Sequence, residues 1–175
     1  AFCRHGRIVD RRYKSLLPTY DVFDEDRYFE PARTVSPIDC DGLRLGVTIC
    51  EDVWNDKDFW PRRLYHRDPV ADLVAAGADL LVNISASPFE LDKADLRRRM
   101  IAQNATKHRR PFVYANQVGG NDELLFDGHS IGIDDAGRLI LRGAEFDEDL
   151  LTIDLAGAEL ALSSMIGRER ALEKA

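Results

Sequence analysis

The sequence predicts a layered α/β protein built on a mixed sheet. Leu43, Leu45, Val47 and Ile49 alternate with Arg44, Gly46 and Thr48, which is the period of a strand. Asp79 to Ile84 is a short apolar run of the kind a strand covered on both faces shows. Helical patterns separate these strands from each other and from the strands nearer the C-terminus. The resulting order is strand, helix, strand, helix, strand and then hairpins, which is that of a layered α/β fold.

Local signals place each element in turn. Residues 1–14 predict a hairpin that turns at Arg4-His5-Gly6-Arg7, with Ile8 and Val9 leading to Tyr13 and Lys14. Ala1-Phe2-Cys3-Arg4 has neither a Met nor a helix cap and reads as mid-strand, so a piece of a longer chain is expected. From Leu16 to Asp41, Pro18, Pro31 and Pro37 break any period, while Tyr20, Phe23, Tyr28 and Phe29 argue against disorder. An ordered active-site loop is expected there. Residues 61–76 predict a helix with an irregular start at Pro69, burying Leu64, Val70, Leu73 and Val74 and ending at Gly77.

Beyond the strand at Asp79 to Ile84, Ser85 to Phe89 reads as a loop, and Glu90 to Arg110 as the clearest helix, stopped by Pro111. Phe112 to Ala115 predicts a strand and Gly119-Gly120-Asn121-Asp122 a turn. Ser130 to Asp134 and Leu139 to Gly143 form a hairpin around Asp135-Ala136-Gly137, and Leu150 to Leu155 a further strand. The expected organisation is one domain over 1–155, with 156–175 a helical tail or linker.

Composition narrows the function classes. The 175 residues are 45% apolar and 31% charged, enough for one sizeable core. The 24 basic and 31 acidic residues leave a net charge of −7, which argues against a nucleic-acid or membrane surface. Arg62-Arg63, Arg97-Arg98-Arg99 and Arg109-Arg110 read as solvated helix faces beside acids. Cys3, Cys40 and Cys50 form no CxxC pair, so neither a disulfide framework nor a cysteine-rich metal site is indicated, and a reducing cytoplasmic setting fits. No apolar run approaches the length of a membrane span.

Chemistry concentrates at Cys50-Glu51-Asp52-Val53-Trp54, where the strand pattern of residues 43–49 stops. A thiol at a strand tip feeding a tight turn is held rigidly, and nearby backbone N–H groups can lower its pKa and receive an oxyanion. The alternative is a small buried hydrophobe, the usual state of a free cysteine. His5 in a turn, His66 and His108 in helical patterns among arginines, and His129 after a Gly are poor candidates to pair with the thiol, and structural or surface roles are expected for them. Lys14 ends a strand-like run just before the aromatic loop and could supply a positive neighbour, although a strand-end lysine is ordinarily solvated.

Two long motifs settle more. Lys14, Leu17-Pro18, Tyr20, Val22-Phe23-Asp24-Glu25 and Arg27-Tyr28-Phe29, followed by Gly46-Val47, Ile49-Cys50-Glu51-Asp52-Val53-Trp54, resemble the nitrilase (carbon–nitrogen hydrolase) superfamily. Within it they are most similar to the glutamine amidotransferase domains of glutamine-dependent NAD+ synthetases. Ile84 to Phe89 and Tyr114 to Gly120 resemble two further segments in the same order, so the likeness runs to about Asp154. It implies a nitrilase-type α-β-β-α sandwich, incomplete here because its N-terminal strands and helix are missing.

The same resemblance implies a Glu–Lys–Cys triad that hydrolyses the glutamine amide through a cysteine thioester, with Cys50 as nucleophile and Lys14 as the lysine. The triad's glutamate precedes the lysine in that family, and residues 1–13 contain no Glu. A weakly active or inactive fragment is therefore expected. Glu25, Glu30 and Glu51 match loop or substrate positions. Tyr20 and Phe23 are expected to wall the glutamine pocket, Glu51 and Ser87 to meet the amino-acid end, and Lys93 to face the carboxylate. Judged by pattern alone, Tyr20 and Phe23 also fit a core, Ser87 a helix cap and Lys93 a surface charge. Asp52 and Trp54 are expected in turn hydrogen bonding and packing.

Glutamine and a synthetase domain of the parent protein are the implied partners. ATP, Mg and deamido-NAD+ belong to that second domain, whose Ser-Gly-Gly-x-Asp-Ser phosphate loop is not in this sequence. No cofactor or metal is expected here. Self-association is expected from open sheet edges. A stand-alone nitrilase-type amidase and a non-catalytic assembly module are the alternatives.

Overall fold

The computed structural model describes residues 1–153. The chain opens with an antiparallel ribbon, β1 (Phe2–Arg4) and β2 (Arg7–Asp10), which turns through His5 and Gly6 at positive φ. A long ordered segment comes next, closed on itself by bonds from Ala32 N–H to the Lys14 carbonyl (2.8 Å) and from Glu25 N–H to the Pro18 carbonyl (3.1 Å). Near its end lies β3 (Ile38–Cys40), a short strand inside the stretch predicted as loop. It pairs antiparallel with β4 (Leu43–Ile49).

The alternating units are α1 (Pro69–Ala75), β5 (Leu80–Ser85), α2 (Lys93–His108) and β6 (Phe112–Asn116). The chain then forms a ribbon of β7 (Val118–Asn121) with β8 (Leu124–Asp127), and a hairpin of β9 (Ile131–Ile133) with β10 (Leu139–Arg142). The main sheet has the order β10-β9-β6-β5-β4-β3, with β4, β5 and β6 parallel and the outer strands antiparallel. It is the mixed sheet the sequence predicts.

Both helices cover one face of that sheet. Val70 and Leu73 of α1, Met100, Ile101 and Ala105 of α2, and Leu81, Phe112, Tyr114, Ile131 and Ile133 of the strands form one buried cluster. β4 is so tightly covered at Gly46 that a Cβ there would lie 2.9 Å from the Ala78 Cβ, 3.0 Å from the Leu81 side chain of β5 and 3.4 Å from the Leu73 Cβ of α1. Only glycine fits there. The opposite face is less covered, and Ile84 in the central strand β5 is 57% exposed. Among the described residues the arrangement is one helical layer on the main sheet, with the β1-β2 and β7-β8 ribbons separate from it.

Several predicted boundaries move for identifiable reasons. The helix expected over 61–76 is confined to α1, because Pro69 has no N–H to offer the Tyr65 carbonyl and Asn55 captures the stretch before it. Its amide donates to the carbonyls of Tyr65 (2.8 Å) and Arg67 (2.5 Å). Asp68 then caps α1 by accepting from Ala71 N–H (3.1 Å), with Pro69 at the first helical position. Leu64, predicted to be buried, is 68% exposed. The helix expected over 90–110 is trimmed to α2 by Asp92 and Arg109, both in the left-handed region at φ 63° and 50°.

The predicted Gly119 to Asp122 turn is instead half a ribbon. Gly119 and Gly120 pair with Phe126 and Leu125, and the reversal falls at Asp122, φ 52°. Residues 150–153 are not in a strand, contrary to the expected strand from Leu150, and the remainder of that element and the tail over 156–175 lie outside the described residues. No helix among the described residues is long and apolar enough to cross a membrane.

Candidate active site

The three parallel strands end on one side of the sheet, and chemistry gathers where they end. In open α/β sheets this is where ligands bind. Cys50 stands at the tip of β4, Ser85 closes β5 just before Ser87, and Asn116 closes β6. Cys50 opens a 3-10 turn, Cys50–Val53, and its own backbone is left-handed at φ 46°. That conformation is uncommon for a side-chain-bearing residue and concentrates at functional sites.

The turn is held from two directions. Asp52 is buried, and its carboxylate accepts from Ile49 N–H (3.0 Å) and from the N–H groups of Ser15 (2.9 Å) and Leu16 (2.8 Å). This fastens the residues following Lys14 onto the cysteine turn. Burial pushes the Asp52 carboxyl above its ordinary range, against the pull of the three N–H groups. From below, the Asn83 amide donates to the Thr48 hydroxyl (3.0 Å) and to the Cys50 carbonyl (3.3 Å).

Two cavities adjoin at this turn and share Phe23, Glu25 and Cys50 in their walls. The larger, about 570 Å³, also exposes Lys14, Ile49, Ile84 and Gln117. The smaller, about 360 Å³, also exposes Tyr20, Glu51, Trp54, Ser87 and Lys93. All seven residues singled out in the sequence thus line one or both: Lys14 the larger, Cys50 and Phe23 both, and Tyr20, Glu51, Ser87 and Lys93 the smaller.

Each is held by specific partners. The Lys14 ammonium donates to both oxygens of Glu25, at 2.6 and 2.5 Å. Glu51 is 5% exposed and accepts from the Tyr20 hydroxyl at 2.9 and 2.8 Å and from the Tyr65 hydroxyl at 3.1 Å. Burial raises the Glu51 carboxyl, opposed by the two tyrosines and by the charge of Lys14. Burial, and then Glu51, push both phenols well above their ordinary value, so they remain donors. Tyr20 and Phe23 meet edge to face at 6.1 Å.

Ser87 is fixed by its main chain, its N–H donating to the Asn116 side chain at 2.9 Å and its carbonyl accepting from Arg97 at 3.3 Å. Arg97 also pairs with Asp127, both buried. Lys93 bonds Glu90 at 2.6 Å and lies 6.0 Å from the Trp54 ring centre. Among the described residues no group of three or more His, Cys, Asp or Glu is arranged to hold a metal ion.

Sequence reasoning leaves four residues of this site without their present placement. Glu25 reads there as a loop carboxylate, although it stands in the Val22 to Glu25 motif. Asn83 is signalled by a lone amide in an apolar strand. Asn55 and Tyr65 carry no periodic or motif signal, because their contacts run from side chain to main chain within an irregular stretch.

Comparison with known proteins adds to this geometry. The family model described as carbon-nitrogen hydrolase matches residues 1–162. A glutamine-dependent NAD(+) synthetase of Synechocystis sp. is 46% identical over 157 residues, which is 89% of this chain and 28% of that protein. One from Thermotoga maritima is 38% identical over 156 residues, 89% of this chain and 25% of that protein. The chain thus spans about a quarter of the length of these curated relatives. The solved glutamine-dependent NAD+ synthetase of Acinetobacter baumannii superposes with a TM-score of 0.74 at 32% identity, over 84% of this chain and 26% of that one. A carbon-nitrogen hydrolase from Helicobacter pylori shares the fold, with a TM-score of 0.65 at 20% identity over 77% of this chain and 48% of that one.

Proposed function

The chain belongs to the carbon–nitrogen hydrolase family, and on that footing we propose that it carries the thiol half of a glutaminase that supplies ammonia for NAD+ synthesis. The observation that supports this most is the pair of joined cavities. One is lined by both a lysine and the strand-tip cysteine, and the other sets the nearly buried Glu51, among the carboxylates Asp21, Glu25 and Glu90, in one wall with a single ammonium, Lys93. A free amino acid with a side-chain amide carries the complementary charges on its α-carbon.

In this reading the Cys50 sulfur attacks the amide carbon of glutamine, and the carbonyl oxygen gathers negative charge that the Lys14 ammonium offsets. The carbon–nitrogen bond then breaks, the nitrogen leaves as ammonia after gaining a proton, and a thioester remains. Water attacks the thioester and releases glutamate and the free thiol. Glu25 holds the lysine through both carboxylate oxygens, which makes it the residue that orients the ammonium rather than the proton relay. The resemblance gives the relay to a glutamate ahead of the lysine, and residues 1–13 hold none. These 175 residues are therefore expected to react once at Cys50 and to turn over poorly.

The same reading assigns the less covered face of the sheet to the second sheet of an α-β-β-α sandwich. It takes a synthetase domain as the consumer of the ammonia, with self-association through the sandwich. A diazoketone analogue of glutamine tests the chemistry. Mass spectrometry is expected to find one adduct, on Cys50, suppressed by glutamine and absent from Cys50→Ala. Equal labelling of Cys3 and Cys40, or no protection by glutamine, would overturn it.

A further inference from the structure

Glu51 is nearly buried, yet it must keep one aspect of its carboxylate turned toward the smaller cavity. Two phenols reach it from different segments. Tyr20 lines the cavity itself, whereas Tyr65 bonds Glu51 without lining either cavity, from the irregular stretch between the cysteine turn and α1. Nothing periodic holds that stretch in place.

What holds it is Asn55, only 1% exposed and four residues beyond Glu51. Its amide donates to the Tyr65 carbonyl at 2.8 Å and the Arg67 carbonyl at 2.5 Å, and its oxygen accepts from Tyr65 N–H at 3.2 Å. The main chain from Glu51 to Asn55 and the side-chain bonds from Asn55 through Tyr65 back to Glu51 thus close a ring. A ring of this kind holds the carboxylate from a second segment, which Arg67 in turn ties to the Ala32 and Arg33 carbonyls of the long loop that carries Tyr20.

We propose that Tyr65, seated by Asn55, is a positioning residue that fixes Glu51 as the acceptor for the cationic end of the substrate and so selects α-amino-acid amides over neutral ones. The proposal rests on the reading that Glu51 meets the amino-acid end of glutamine. Removing the hydroxyl leaves Glu51 with Tyr20 alone, so the carboxylate gains freedom and loses a donor that favours its charged form. The reacting thiol is untouched. The effect is therefore confined to binding of a cation-bearing ligand.

Labelling kinetics of Cys50 in the 175-residue chain separate the outcomes. Tyr65→Phe, which conserves shape, is expected to raise the half-saturating concentration of the glutamine diazoketone about 10-fold, the weight of one hydrogen bond to a charged group. The limiting rate stays within about two-fold, and iodoacetamide, which is neutral, alkylates Cys50 at the wild-type rate. Asn55→Ala, which keeps the phenol but frees its main chain, is expected to shift the half-saturating concentration in the same direction. An unchanged half-saturating concentration in Tyr65→Phe overturns the proposal. Equal slowing with both reagents also overturns it, since that is the mark of a merely structural residue. If the wild-type chain shows no saturation with the diazoketone, the glutamine reading falls and this inference with it. Saturation in the wild type with no change in the variant removes this inference alone.

Discussion

Replacing Asp52 tests whether the cysteine turn and the lysine segment are one unit. Its carboxylate accepts three backbone N–H groups, two from Ser15 and Leu16 and one from Ile49. Asp52→Asn can keep one oxygen toward Ser15 and Leu16 but turns an amide toward Ile49. That loses one bond and is expected to cost about 1–2 kcal/mol. Asp52→Ala loses all three and strands two N–H groups on residues that are themselves buried, Ser15 and Leu16.

At roughly 1–3 kcal/mol for each orphaned donor, and less the relief of no longer burying a carboxylate, about 3–5 kcal/mol is expected for Asp52→Ala. Urea unfolding followed by tryptophan fluorescence measures both. Because the folded-state pKa is raised, the native chain binds the proton first, so this group's pH-linked stability is fully present below its ordinary value of 3.8 and fades as pH rises through the folded value. Asp52→Asn should flatten that slope. If Asp52→Ala costs under about 1 kcal/mol, or if the two variants cost the same, the staple is not what joins the segments.

Two further outcomes concern groups away from the thiol. Arg97 and Asp127 are paired in the interior, so Asp127→Asn should lose about 3–5 kcal/mol in urea unfolding, whereas an apolar pair of matching volume at both positions should cost far less. For Asp127, burial acts upward, but the Arg97 guanidinium holds the carboxyl below its usual range, so its contribution persists above 3.8 and is lost only as pH falls through the lower folded value. Burial, with the charge of Lys107, lowers His108 below 6.5. Stability should therefore drop on acidification from about pH 6.5 down through the folded value, and His108→Gln should abolish that drop in thermal melts taken across the range.

What the sequence makes legible depends on how the information is stored. The β4 strand and its abrupt end at Cys50 are visible because a period-two pattern needs no partner to be read. Lys14 is visible through a motif alone, since nothing in its local pattern distinguishes it from a solvated lysine. The stretch before α1 misleads because Leu64, Val70, Leu73 and Val74 have helical spacing. Pro69 offers no N–H to the Tyr65 carbonyl, four residues before it, and Asn55 takes that carbonyl and the one of Arg67 instead. Gly119 and Gly120 read as a turn because their strand character comes wholly from Phe126 and Leu125 across the ribbon. The shared cavity walls bring Phe23 and Glu25 of the long loop against Cys50 at the tip of β4, a meeting that no single segment encodes.

The left-handed backbone at Cys50 has a consequence for how this position tolerates change. At φ 46° a residue with a Cβ sits about 1 kcal/mol or more above glycine, so the turn by itself would prefer glycine. Any thiol kept there is kept against a conformational gradient. Alanine or serine at the position inherits that burden and isolates the loss of sulfur. Glycine would remove the sulfur and relax the turn together, yielding a sturdier protein with no nucleophile. Drift toward glycine is thus the cheapest route by which a chain with this turn would abandon its chemistry while keeping its fold.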